Sequence, residues 1–93
     1  MSEDETAKVE DPEFLMEVMD IRETIDNSRD EAEIEQMKKD NEKRIADSEE
    51  MLEGAFAEEN MEVAQEETIK LRYWVNIRDS LDEWEEQRIR GEK

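Results

Sequence analysis

The chain contains no cysteine and no histidine, only one proline and only two glycines among 93 residues. Without cysteine there is no disulfide and no thiolate nucleophile or metal ligand. Without histidine, Ser-His and Cys-His catalysis are excluded, as is the Glu-x-x-His motif of di-iron bundles. Two distant glycines cannot form a glycine-rich phosphate loop. The segment from Asp26 to Met37 superficially resembles a calcium loop. Glu31 stands where its turn requires glycine and Met37 where it requires glutamate, so it fails as one. No apolar run approaches the ~20 residues of a membrane span. No enzymatic chemistry, cofactor or metal site is expected.

What the chain does have is charge. There are 31 acidic against 13 basic residues, a net charge of -18, and 47% of all residues are charged. Such a surface repels phosphate backbones, so nucleic acid is an unsuitable partner and a basic protein a suitable one. High charge alone would suggest disorder. The scarcity of helix breakers, together with many Glu, Lys, Arg, Ala, Met and Leu residues, points instead to long helices, in which these side chains lose little freedom.

Residues 1–10 lack periodicity and are expected to form a flexible acidic lead-in, unlike a signal or transit peptide, with the folded domain spanning 11–90. Asp11-Pro12 has the form of a helix start, predicting a first helix to about Asn27. Ser28, with Glu31 three residues on, has the form of a capping box for a second helix ending near Ala57. Asn60 is a suitable cap for a third helix from Met61 to about Ile89, with Gly91 ending the order. Loops this short make neighbouring helices antiparallel. The expected fold is all-α: a three-helix antiparallel bundle with a short first helix packed on a long two-helix hairpin.

Helical spacing gives each helix an apolar face. Phe14, Val18, Ile21 and Ile25 form a narrow docking stripe on the first. Ile34, Met37, Ile45, Leu52 and Phe56 share a face of the second, interrupted by Asn41 and Ser48. Ala64, Leu71, Trp74, Val75, Leu81 and Trp84 form a broader face on the third. Leu15 and Met19 lie roughly 100° from the docking stripe, flanked by Met16 and Glu23 and continued by Arg22 and Asp26. They are surplus to docking and are expected to be exposed, as the apolar residues of helical binding faces are. Tyr73 lies away from the Ala64, Leu71 and Val75 line, and by itself reads as a core-edge residue.

Two segments, DPEFLMEVMDIRETI and KLRYWVNIRDSLDEW, resemble the C-terminal domain of the HscB/Jac-type J-protein co-chaperones of iron–sulfur cluster biogenesis. The resemblance spans roughly Asp11 to Trp84, and the RYW triplet with its following Asn is closest to fungal mitochondrial members. It implies a three-helix domain that binds a scaffold protein of the IscU/Isu type for delivery to a DnaK-type chaperone in the mitochondrial matrix. Carried over by position, the implied contacts are Leu15, Met19 and Tyr73, with polar contacts at Asp20, Glu23, Thr24 and Asn27. Met19 stands where leucine is usual, a volume-conserving change. Glu17 stands where some members carry lysine. J-domains need a His-Pro-Asp loop, and this chain has no histidine, so residues 2–10 correspond to the linker to an absent J-domain. The implied protein is the isolated scaffold-binding domain, a monomer that engages the DnaK-type chaperone only through that missing domain. Two other readings are a self-associating, coiled-coil-like hairpin and an acidic nucleic-acid mimic.

Overall fold

The computed structural model describes residues 11–91, so the expected acidic lead-in at 1–10 lies outside the described residues. Three helices follow one another: α1 (Pro12–Asn27), α2 (Glu31–Ala57) and α3 (Met61–Gly91). The expected three-helix bundle is the observed fold. Its described residues extend over 51 × 29 × 21 Å, the long axis reflecting the length of the α2–α3 hairpin.

Asp11 caps α1, its side chain accepting the Phe14 N–H at 3.3 Å, with Pro12 at the first helical position. The start of α2 differs from expectation. Its cap is Asp30, whose Oδ1 accepts the Ala32 N–H at 3.0 Å. Ser28 instead ends α1, and its hydroxyl donates to Glu33 at 2.8 Å rather than pairing with Glu31. Asn60 caps α3 as expected, accepting the Val63 N–H at 3.2 Å. Gly91 is itself helical and is the last described residue, so the expected end of order there falls outside the described residues.

The turn between α2 and α3 closes with paired backbone bonds, Asn60 N–H to Ala55 O at 2.8 Å and Glu59 N–H to Phe56 O at 3.0 Å. This is a Schellman arrangement, with Glu59 (φ 56°) in the left-handed position usually given to glycine.

The buried seam of α2 runs through Ile34, Asn41, Ser48 and Ala55, every seventh residue, with Ile45 between them. On α3, Glu67, Trp74 and Leu81 repeat at the same interval, with Ile77 fully buried between the last two. A seven-residue repeat keeps two slightly supercoiled helices in register along their length. It also explains a difference from expectation. Phe56 belongs to the face only for a straight helix; in the supercoiled hairpin Ala55 takes that place and Phe56 is 55% exposed.

α1 docks through Phe14, Val18 and Ile25, with Ile21 half-buried beside them. Phe14 meets the ring of Trp74 edge-on at 5.1 Å and that of Tyr73 at 5.4 Å. At the other end of α1, the Trp84 indole N–H donates to the Ser28 carbonyl at 3.3 Å, holding the α1–α2 junction against α3. α1 therefore runs along the hairpin from Trp74 to Trp84, toward the end away from the α2–α3 turn.

Candidate protein-binding face

Two cations from the hairpin fix the first turns of α1. Arg44 pairs with Glu17 at 3.4 Å and its guanidinium lies 5.2 Å from the centre of the Trp74 ring. Lys70 reaches Asp11 at 3.9 Å and lies 5.3 Å from the centre of the Phe14 ring. Each cation thus combines an ion pair with an aromatic face, so that a partly desolvated pair and a cation–π contact act together. Glu17, where the resemblance puts lysine in some members, serves the fold here, because a lysine would face Arg44.

With one side of α1 held in this way, its other side is open. Met19 is 67% exposed and Met16, one turn earlier, 63% exposed. Leu15 differs from the expectation of exposure: it is half-buried and packs against the core. Tyr73 is also half-buried, with Phe14 against its ring. That is the core-edge position its spacing on α3 implies. Leu15 and Tyr73 are therefore held by the core while keeping part of their surface in solvent, and Met19 projects freely.

The four polar positions come together. Asp20, Glu23, Thr24 and Asn27 line one open cleft with Ser28 and Glu33. Leu15, Met19 and Tyr73 are not among its lining residues, so α1 carries an apolar pair, Leu15 and Met19, separate from the acidic cleft, while Tyr73 stands on α3. The Thr24 hydroxyl donates to the Asp20 carbonyl at 2.9 Å, which leaves its oxygen able to accept from a partner. Three carboxylates and no cation line the cleft, a composition that favours a basic surface. Met16 extends the apolar pair and was flanking, rather than central, in the sequence pattern. Its exposure follows from its place opposite the docking stripe. Among the described residues, no group of His, Cys, Asp or Glu side chains is placed to hold a metal ion. No helix of the described residues is long and apolar enough to cross a membrane.

The comparisons with known proteins agree with this architecture. Residues 10–82 match the family model described as the HSCB C-terminal oligomerisation domain. The chain is 31% identical over 74 residues to the J-type co-chaperone JAC1, mitochondrial, of Saccharomyces cerevisiae. That similarity covers 80% of this chain and 40% of the yeast protein, so the chain corresponds to less than half of its relative. No solved structure matches. The family match covers most of the chain, with α1, α2 and α3 up to residue 82, and the protein belongs to the HSCB C-terminal domain family.

Proposed function

We propose that the outer side of α1 binds an iron–sulfur cluster scaffold protein of the IscU/Isu type. In a complete J-protein the bound scaffold is then presented to a DnaK-type chaperone in the mitochondrial matrix. The observation that carries this reading is the exposure of Met19, 67%, beside an open acidic cleft on the same helix. Such a helix face combines an apolar anchor with a charged rim, the usual anatomy of a protein-binding patch.

The geometry divides the work. Met19 and Met16 adapt to a partner's apolar surface because their unbranched side chains repack readily. Leu15 and Tyr73 are already ordered by the core, so binding against them costs little side-chain entropy. Asp20, Glu23 and Asn27 offer acceptors to basic groups and speed encounter through charge. The domain acts as a monomer, catalyses no reaction and holds no cofactor.

Calorimetric titration against an IscU/Isu-type scaffold tests the proposal, with Met19→Ser beside the wild type. Burying a methionine contributes ~1.5–3 kcal/mol, so Kd should rise at least about tenfold. Because Met19 is exposed, the melting curve should not move. Unchanged affinity in a folded Met19→Ser variant would remove α1 as the binding helix.

A further inference from the structure

The hairpin has a second apolar surface, at the end away from the Trp84–Ser28 contact. Phe56, in the last turn of α2, is 55% exposed, and Met61, the first residue of α3, is 66% exposed. They flank the tight turn Glu58–Asn60, which its paired backbone bonds hold closed. The adjoining seam is built from small side chains, Ala55 and Ala64, both buried. Small residues thus pack between the helices while the large apolar ones face solvent, the reverse of what stability alone favours.

The charge around these residues is of one sign. Between Ala46 and Ile69 there are nine acidic residues and no lysine or arginine, so this stretch carries -9 of the net -18. Of the nine, only Glu67 is buried. The ion pairs given for the described residues lie beside α1 and along the opposite half of the hairpin. The carboxylates at this end therefore keep their charge available to a partner.

We propose that the turn end of the α2–α3 hairpin is a second docking surface, for a basic amphipathic helix carried by a partner protein. Phe56 and Met61 supply the apolar contact and the surrounding glutamates pair with lysine and arginine on the partner helix. A second copy of this chain would meet the same carboxylates and be repelled, as would the acidic residues 1–10. Phospholipid surfaces bearing negative charge are disfavoured for the same reason. Exposed methionine within an acidic frame suits helices of varied sequence, because methionine repacks and the charge selects only for basic character.

The test uses the full chain and an eighteen-residue peptide of leucine and lysine at helical spacing. Its affinity is measured by calorimetry at about 0.15 M salt, where long-range attraction is largely screened. Phe56→Ser/Met61→Ser, which leaves every charge in place, should weaken binding at least tenfold, whereas Met19→Ser should not change it. Amide shifts in the wild-type chain should centre on residues 51–66, a readout that stands even if the double variant melts early. Equal affinity in a folded double variant overturns the proposal, as do shifts centred on α1. Concentration-dependent dimerisation through the same residues would assign the surface to a second copy and overturn it equally. Since the scaffold titration depends on Met19, either proposal can fail without the other.

Discussion

The side-chain amide of Asn41 donates to the main-chain carbonyl of Trp74 at 2.8 Å, inside the seam between α2 and α3. Asn41 is 1% exposed, and its own Oδ1 is buried with no hydrogen-bond partner. The residue therefore carries both a satisfied donor and an unsatisfied acceptor. Asn41→Ala removes the bond and leaves a void, and should cost about 1–3 kcal/mol in urea unfolding. Asn41→Leu removes the unsatisfied acceptor too and fills the seam, so its stability should equal or exceed the wild type. A polar residue at such a seam position can fix helix register at a cost in stability. The leucine variant should accordingly show a gain in self-association by sedimentation, with alanine showing none.

Leu15 and Met19 separate binding from folding. They are one turn apart on α1, yet Leu15 packs on the core and Met19 does not. Leu15→Ser should lower stability by about 1–3 kcal/mol, from lost burial and the new polar group. Met19→Ser should stay within about 0.5 kcal/mol of wild type, as exposed substitutions usually do. Thermal melts of the two single variants check this; equal losses would mean that Met19 is also held by the core.

These residues also show how far the sequence can be read. The limits of α1 were legible because Asp11-Pro12 combines a cap with a residue that suits only the first turn. The start of α2 was not, because Ser28 and Asp30 are both good caps and spacing alone cannot rank them. The structure decides through Ser28's commitment to Ile25 and Glu33. Phe56 was overvalued because a straight-helix wheel drifts about 20° per heptad from a seven-residue seam, whereas Ile77, three residues after Trp74 and four before Leu81, lies on the α3 face by spacing alone and was left out of it. Ala55, not Phe56, lies three heptads from Ile34. The acidic cleft was legible in its residues only through the family resemblance, since Asp20, Glu23, Thr24 and Asn27 have no distinctive pattern. Their meeting with Glu33 depends on how the α1–α2 junction folds back.

Glu59 is the one described non-glycine residue with positive φ, at 56°. A side chain in the left-handed region costs roughly 1–2 kcal/mol, offset in part by the greater unfolded-state freedom of glycine. Glu59→Gly should therefore stabilise the chain by about 0.5–1 kcal/mol, read as a rise in the urea midpoint with an unchanged slope. It also removes one of the carboxylates near Phe56, and peptide binding there should weaken slightly. A lower midpoint would show that the Glu59 side chain makes a stabilising interaction that outweighs its backbone cost.

Lys38 makes the test of pH. Its ammonium pairs with Glu85 at 3.0 Å and Asp82 at 3.4 Å, joining α2 to α3. The hydrogen bond Lys38 donates to Glu85, followed by partial desolvation acting in the opposite sense and the bond it donates to Asp82, leaves the Lys38 pKa raised above 10.5. A raised folded-state value means that the protonated form is favoured by folding. Its contribution is then fully present below the unfolded-state pKa and is lost as pH rises through the higher folded-state value. The stability difference between wild type and Lys38→Met should therefore be constant from neutral pH to about pH 10 and shrink beyond it. Added salt should reduce the difference at every pH, since the pair is only partly shielded from solvent. Urea titrations of both proteins at intervals of pH measure it. A difference that persists unchanged through pH 12 would mean that packing of the methylene stem, rather than the charge, accounts for what Lys38 contributes.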